Sequence, residues 1–319
     1  MNKETNTNSI SWLHGLQDYF EFTNKHDISQ FCKNFLKVLY SENKAPVLRN
    51  VILEGIETNP VDNVVNFFSH TVNDEQNMKL KEISTALQLL YPNEELLNIL
   101  AKYYRLHDTN IADAFSRGQV NSKTWMVSEL AKIKDNFEMI HIHAGWMGQT
   151  RLYLDAANIS YNKMRIFDVD RFACEVSDTI FNNDLIEGYK AKATELRLPL
   201  RDDSEEEQNM PWVTRTGIEY DVQNYNKGNS YKEKTMPDLI INSSAEHMSS
   251  VWYHKMINRP METDPLFVIQ TNNLFDVLEH QLCVYTLDHM QKKFPMSRLE
   301  FAGEKEMYGY KRFMMIGRP

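Results

Sequence analysis

Six short apolar runs, each about one β-strand long, constrain the fold of this chain most strongly. They follow one another beyond residue 120 and are separated by helical or polar stretches. Continuous apolar strands that alternate with helices are typical of a parallel sheet covered on both faces. The sequence therefore predicts an α/β domain with a mostly parallel sheet over residues 119–319. The runs are MIHIHA (139–144), KMRIFDV (163–169), GYKAKAT (188–194), PDLIINS (237–243), PLFVIQT (265–271) and KRFMMIG (311–317).

The C-terminal segment SRLEFAGEKEMYGYKRFMMIGRP (297–319) has a different pattern from the other runs. It contains two strand-like stretches that are joined directly by a turn containing glycine. This arrangement is typical of a β-hairpin. We therefore expect an antiparallel hairpin to close the sheet.

The first 120 residues have helical patterning. HDISQFCKNFLKVLY (26–40) has its apolar residues on one helical stripe, with Asp27 as the expected N-cap. Residues 73–104 are predicted to form two helices broken at Tyr91-Pro92, because a proline disfavours helical backbone in the residue before it. We expect residues 1–118 to form a separate all-helical N-terminal domain.

The composition restricts the cellular compartment in which the protein is expected to function. It has 319 residues, of which 42% are hydrophobic, so it can bury a large core. No run of 18 apolar residues is present, and the polar start does not resemble a signal peptide. Three widely spaced cysteines fit free thiols in a reducing compartment. The expectation is a cytoplasmic protein with no membrane partner.

The net charge of −9 disfavours nucleic acid as a partner, because phosphate neutralisation supplies much of the affinity for a duplex. The charge is uneven along the chain. The acidic run RDDSEEE (201–207) contrasts with a tail from Met290 that is rich in lysine and arginine and includes Arg312. These tail residues could form a small basic rim, so a nucleic-acid component stays among the candidate substrates although the net charge does not favour it.

The segment HAGWMGQ (143–149) follows the first apolar run and contains two glycines. In open α/β sheets, ligands bind beyond the carboxyl ends of the strands, where the strand order switches. Asp168 ends the next run, roughly 20 residues after the glycines, where an acid can accept hydrogen bonds from ribose hydroxyls. The order of these elements predicts a Rossmann-like domain that binds a nucleoside cofactor.

These segments, together with FDVDRFACEVSD, PDLIINSSAEHM, VIQTNNLF and the closing YGYKRFMMIGR, resemble the class I S-adenosylmethionine-dependent methyltransferases. The similarity is to methyltransferase-like proteins often found in phage genomes, and it covers roughly residues 120–319. It implies a Rossmann-like, seven-stranded, mostly parallel sheet whose last strand is antiparallel. It also implies S-adenosyl-L-methionine as the cofactor and, if the gene belongs to a phage, the host cytoplasm as the location.

The resemblance implies roles for individual residues. Gly145 and Gly148 would line the methionine end of the cofactor, and Asp168 would hold its ribose. An acid after the third strand would meet the adenine amine, and both Asp221 and Glu195 are candidates, with an apparent insertion between them. The remaining residues of the expected cofactor site are His143, Ala144, Trp146, Val169 and Asn242.

The glycine segment departs from the family's usual pattern. His143 stands where the family has an acid two residues before the first glycine, and the bulky pair Trp146-Met147 precedes Gly148. Trp146, Trp212 and Trp252 could stack on a ring of a ligand, although most aromatic side chains in such a domain belong to the core.

The loop after the fourth strand of the family's sheet faces the substrate. Here it contains Glu246 and His247, which we predict to polarise a methyl acceptor, since histidine can act as a base near neutral pH. The alternative is that Glu246 caps the following helix and His247 only packs. Glu279 and His280 repeat the same pair, and Asn272 either binds substrate or ends its strand.

No metal site is expected from the sequence. His141 and His143 point to the same side of a strand, but two histidines rarely bind a metal without a carboxylate or thiolate at a suitable spacing. The predicted function is an S-adenosylmethionine-dependent methyltransferase acting on an unknown small molecule or nucleic-acid component. Two alternatives stay open: a different transferase using the same cofactor, and a catalytically silent domain with a structural or assembly role.

Overall fold

The computed structural model describes residues 3–40, 80–106, 112–143, 146, 148–168, 177, 191–195, 212–214, 217–224, 229–248, 250–257, 263–278 and 280–319. The chain divides into two compact units, Met1–Thr124 and Trp125–Pro319.

Regular structure in residues 3–40 and 80–106 is entirely helical. Helix α2 begins at His26, one residue before the predicted N-cap Asp27, which lies in the first turn instead. The predicted break at Tyr91-Pro92 is confirmed, since it separates α3 from α4. The helices are α1 Lys3–Phe22, α2 His26–Leu39, α3 Leu80–Leu90 and α4 Glu95–Leu106, followed by a 3₁₀ turn at Ala112–Phe115 and by α5 Arg117–Ile133.

The core of the first unit is built from the apolar stripes of these helices. Trp12, Phe20 and Phe35 are among its fully buried side chains. Gly15 allows α1 to approach the 3₁₀ turn closely, because a Cβ atom there would overlap the carbonyl oxygen of Phe115.

The described residues that follow α5 form ten strands and include three short helices. None of the helices described in the chain is long and apolar enough to cross a membrane. The strands are β1 Asn136–His143, β2 Ser160–Asp168, β3 Ala191–Glu195, β4 Trp212–Thr214, β5 Gly217–Asn224, β6 Asn229–Thr235, β7 Leu239–Asn242, β8 Leu266–Asn272, β9 Arg298–Glu306 and β10 Lys311–Arg318. The helices are α6 Thr150–Ala156, α7 Val251–Ile257 and α8 Leu287–Lys293, and a 3₁₀ turn spans Ala245–His247.

The main sheet has the order β3-β2-β1-β7-β8-β10-β9. The pairs from β3 to β8 are parallel, whereas β10 is antiparallel to both β8 and β9. All residues of β7 and β8 are buried, as expected for strands covered on both faces. The structure thus confirms a mixed α/β fold with a mostly parallel sheet and an antiparallel C-terminal hairpin.

A second, antiparallel sheet of order β4-β5-β6 interrupts the chain between β3 and β7. It occupies part of the segment in which the sequence suggested an insertion. Its residues follow an alternating, largely polar pattern rather than a continuous apolar one.

The strand order changes direction beside β1. This strand pairs with β2 on one side, where Ile142 lies opposite Ile166, and with β7 on the other, where Ile142 lies opposite Ile241. The chain therefore moves outward from β1 to β3 and later returns to the opposite edge of β1. Such a switch leaves a crevice at the carboxyl ends of the central strands, which is the usual ligand position in open α/β sheets.

Candidate functional site

The turn after β1 is held to the end of β2 by a hydrogen bond. The backbone N–H of Trp146 donates to Oδ2 of Asp168 at 2.7 Å, and the Asp168 side chain is buried. Trp146 and Gly148 both have left-handed backbone, with φ of 48° and 75°. This conformation disfavours a tryptophan, so the charge-assisted bond to Asp168 helps to keep the turn in place.

The acids proposed for the adenine lie in different parts of the fold. Glu195 is the last residue of β3 and lies in register with Asp168 at the end of β2. Asp221 is within β5 of the second sheet, in register with Lys232. Three further residues of the expected site, Ala144, Gly145 and Val169, lie outside the described residues, as does Glu279.

His141 and His143 belong to the core beneath this edge of the sheet. Both rings contact Phe167, and the ring of His143 also lies 5.6 Å from that of Trp252. Burial lowers the pKa of His143 to about 3, and burial, with His143 and Arg165 nearby, lowers the pKa of His141 well below its usual value. Both imidazoles are therefore neutral at physiological pH.

Two of the tryptophans considered for stacking have contrasting positions. Trp252 has only 2% of its surface exposed, so of the two interpretations the core position, which is the more common one, is confirmed. Trp146 is 39% exposed. Trp212 is the first residue of β4.

A buried polar cluster lies where β7 and β8 end and β10 begins. Oε1 of Glu246 accepts hydrogen bonds from Nδ2 of Asn272 at 2.9 Å and from Nη1 of Arg312 at 2.7 Å. Nη2 of Arg312 donates to the carbonyl of Ser243. The side chains of Glu246 and Arg312 are each only 4% exposed, so this is a buried ion pair.

The surrounding loop is fixed by its own backbone contacts. Oδ1 of Asn242 accepts a hydrogen bond from the N–H of Ser244 at 3.1 Å, which turns the chain sharply after β7. The carbonyl of Glu246 accepts hydrogen bonds from the N–H groups of Gln281 and Leu282. The carboxylate of Glu246 thus binds Asn272 and Arg312, and the alternative that it caps the following helix was wrong.

His247 and His280 lie next to this carboxylate. Their ring centroids are 4.7 Å apart in an edge-to-face arrangement. Nδ1 of His280 is 2.9 Å from the carbonyl oxygen of Leu274. Because a carbonyl can only accept a hydrogen bond, Nδ1 carries a proton, and Nε2 is the ring atom that faces away from this bond.

Cys283 supports the same group of residues. Its Sγ lies 3.2 Å from Oδ1 of Asn272 and 3.3 Å from the carbonyl oxygen of Leu274. Burial, with a smaller contribution from Glu246, raises the pKa of the thiol to about 11. The sulfur therefore remains a thiol and acts as a hydrogen-bond donor rather than as a nucleophile.

Sequence reasoning singled out Glu246 and His247 but not Arg312 and Cys283, which the structure brings into contact with the same cluster. The interpretation of Arg312 as part of a basic rim was wrong, because only 3% of this residue is exposed. The sequence did contain a signal for Arg312. It stands at the start of the apolar run KRFMMIG, and an arginine that is buried there requires a partner of opposite charge.

Comparisons with known proteins return structural similarity without sequence similarity. No family model matches the chain. No curated protein matches it. Solved structures with similarity include an S-adenosylmethionine-dependent methyltransferase from Aquifex aeolicus, with 10% identity, a TM-score of 0.37, and coverage of 68% of this chain and 97% of the other.

Two further solved structures are similar at the same level. Magnesium protoporphyrin IX methyltransferase from Synechocystis PCC 6803 with bound S-adenosylmethionine has 9% identity and a TM-score of 0.40, and covers 73% of this chain and 96% of its own. TrmK from M. capricolum, in complex with S-adenosylhomocysteine, has 7% identity and a TM-score of 0.35, and covers 60% and 66%. What this chain binds has to be inferred from its own residues.

Proposed function

We propose that the protein is an S-adenosylmethionine-dependent methyltransferase. The observation that carries the proposal is the pairing of a left-handed turn after β1 with the Asp168 carboxylate at the strand-order switch. Such a turn brings the backbone close to a nucleoside cofactor, and an acid at the end of the next strand can accept hydrogen bonds from ribose hydroxyls.

The cofactor site in this proposal follows the edge of the sheet. The turn at Trp146–Gly148 contacts the methionine end, Asp168 holds the ribose, and Glu195 meets the adenine because it ends the strand beside Asp168. In this proposal, the main sheet corresponds to the complete seven-stranded sheet of the family, and residues 1–118 form a separate helical domain. Limited proteolysis that releases a stable fragment beginning near residue 119 would support that boundary.

The methyl acceptor is proposed to bind beside Glu246 and His247. Methyl transfer is an in-line displacement, so aligning the acceptor and excluding water supply most of the catalysis. Glu246 is fixed by Asn272 and Arg312 and serves as a positioning residue, while the half-buried His247 contacts the acceptor. The acceptor itself is a small molecule or a nucleic-acid component.

The cofactor assignment is tested by isothermal titration calorimetry with S-adenosylmethionine and S-adenosylhomocysteine. Asp168→Asn keeps an oxygen that can accept from the N–H of Trp146 but removes the charge and one acceptor. We expect affinity to fall by about 1.5–3 kcal/mol, which is roughly 10- to 150-fold.

Asp264→Asn is the matched control. Asp264 precedes β8, at the amino edge of the parallel strands, and its carboxylate is 59% exposed. Asparagine also tolerates the left-handed backbone at this position, where φ is 45°. Affinity should therefore be unchanged. Folded parent protein that binds neither compound would refute the proposed function, whereas equal affinities for parent and Asp168→Asn would remove only Asp168 from the site.

The acceptor site is tested through turnover. His247→Ala should lower methyl incorporation from labelled cofactor by roughly 100-fold or more, and leave cofactor affinity within about twofold, because the side chain acts on the acceptor. The substrates to use are separated small-molecule and nucleic-acid fractions of a cell extract. Unchanged activity per folded molecule would contradict this role for His247.

A further inference from the structure

We propose that Glu246, His247 and His280 form a binding site for a first-row divalent metal ion, with Zn²⁺ the best fit. One ligand atom from each residue can be chosen so that all three lie within 4.8 Å of one another. Ligand atoms around a tetrahedral zinc ion lie somewhat closer together, at bond lengths of about 2.0–2.2 Å. Small side-chain rotations would therefore complete the site.

The donor set suits this class of metal. Two imidazoles and one carboxylate form the protein part of many catalytic zinc sites, and the same set binds iron(II) in other enzymes. Magnesium and calcium prefer oxygen ligands and fit this set poorly. Three protein ligands also leave at least one coordination position open for water or a substrate oxygen.

The hydrogen bonds behind the three ligands are those expected around a metal. Histidine ligands usually donate their other ring N–H to a carbonyl or carboxylate, which fixes the tautomer. Nδ1 of His280 donates in this way to the carbonyl of Leu274, so that Nε2 is the ligand atom. The contacts of Cys283 with Leu274 and Asn272 brace the same carbonyl and the amide that holds Glu246.

The carboxylate of Glu246 provides an independent observation. Oε1 accepts from both Asn272 and Arg312, while Oε2 is buried and has no hydrogen-bond partner. Glu246 as a whole is 97% buried. A buried carboxylate oxygen without a partner is costly, and a cation held by Oε2 and the two imidazoles would remove that cost.

Other groups near the cluster do not fit as ligands. Sγ of Cys283 is directed at Oδ1 of Asn272 and the carbonyl oxygen of Leu274, and Cys283 is not among the three residues whose ligand atoms come together. His141 and His143 lie in the apolar core and contact Phe167 rather than a carboxylate. The expectation from the sequence that the chain holds no metal was based only on His141 and His143. His247 and His280 come together only in the folded chain.

The metal would act as a Lewis acid towards an acceptor oxygen or nitrogen. It would lower the pKa of the bound acceptor group, so that its proton would be lost to solvent. The freed lone pair would then form the bond to the methyl carbon while the carbon–sulfur bond of the cofactor breaks and S-adenosylhomocysteine leaves. This catalytic role rests on the proposed function, whereas metal binding rests on the contacts of the cluster alone.

The test measures Zn²⁺ binding to the full chain without an affinity tag, after removal of bound metal with a chelator. Calorimetry is expected to give one Zn²⁺ per chain, and Co²⁺ should give the visible absorption of a low-coordinate site. His280→Asn keeps an N–H donor near the Leu274 carbonyl but removes Nε2, and it should weaken Zn²⁺ binding at least tenfold. Glu246→Gln should weaken it similarly, since a neutral amide is a poorer ligand.

His254→Ala on α7 is the control, because it removes a histidine outside the cluster and should leave Zn²⁺ affinity unchanged. Circular dichroism and thermal melting establish whether each variant is folded. If His280→Asn or Glu246→Gln does not fold, His247→Asn is measured in its place. The proposal is overturned if folded parent protein binds no Zn²⁺, or if His280→Asn and His247→Asn both bind it as tightly as the parent. Cofactor titrations on the same samples separate this outcome from failure of the methyltransferase proposal.

Discussion

Replacing Arg312 with methionine tests whether the Glu246–Arg312 pair holds the candidate acceptor site together. Methionine keeps much of the length and apolar volume of the arginine stem but removes all its donors. Oε1 of Glu246 then retains only Asn272, and the carbonyl of Ser243 loses the Nη2 donor. Because both side chains of the pair are 4% exposed, water cannot easily replace the guanidinium.

The expected loss of stability follows from these contacts. Removing one partner of a buried ion pair typically costs 3–5 kcal/mol, since it leaves an uncompensated charge, and here a carbonyl is left unpaired too. We therefore expect the free energy of unfolding to fall by about 4 kcal/mol. For a domain of this size, about 2–4 °C per kcal/mol predicts a drop of roughly 8–16 °C in Tm.

Urea unfolding in the presence of a chelator, so that no metal contributes, measures this effect. Arg318→Met is the matched control on the same strand, because Arg318 pairs with the exposed Asp264, and it should cost less than about 1 kcal/mol. The double variant Glu246→Gln/Arg312→Met should lose about 2 kcal/mol less than the sum of the single changes, since it leaves no buried charge. Losses below about 1 kcal/mol for Arg312→Met, or strictly additive losses, would refute the reasoning.

Two further predictions concern the turn and the core beneath it. Burial lowers the pKa of His143 from 6.5 to about 3, so the unfolded chain takes up the proton first as the pH falls, and stability is lost from about pH 6.5 towards pH 3. His143→Leu should reduce that loss by up to ~1.4 kcal/mol per pH unit in urea unfolding between pH 6 and 4, and an unchanged pH dependence would count against it. Gly148→Ala and Gly309→Ala both place a side chain at positive φ, and each should lower the free energy of unfolding by about 1 kcal/mol. Only Gly148→Ala should also weaken S-adenosylmethionine binding. Equal effects of the two changes on cofactor affinity would contradict the proposed position of the turn in the cofactor site.

The inner strands β7, β8 and β10 of the main sheet were predictable because they are buried on both faces. PLFVIQT (265–271) predicted a strand within one residue of the observed β8, Leu266–Asn272, and KRFMMIG (311–317) similarly predicted β10. A strand with two buried faces has a continuous apolar sequence, which cannot be mistaken for a loop. The second sheet was not predicted, because strands such as NSYKEKT (229–235) lack that signal.

The candidate site was predictable only where its residues follow directly after a strand. Glu246 and His247 come shortly after β7, so their position was evident from the sequence. Arg312 lies 66 residues from Glu246 and meets it only because β10 inserts beside β8, with Arg312 in register with Asn272. Antiparallel register of this kind depends on strand order, which the local sequence does not specify.

The position of β10 between β8 and β9 has a consequence for biosynthesis. Among the strands of the main sheet, β10 is the last to leave the ribosome, yet it is an inner strand that carries the guanidinium for Glu246. Chains grow at about 5–20 residues per second, so residue 312 appears roughly 3–13 s after residue 246. During that interval the loop beyond β7 has an acidic side chain without its cation, and β8 presents an open edge to the solvent or to a chaperone. The Glu246–Arg312 ion pair can therefore form only after the other strands of the main sheet have been synthesised.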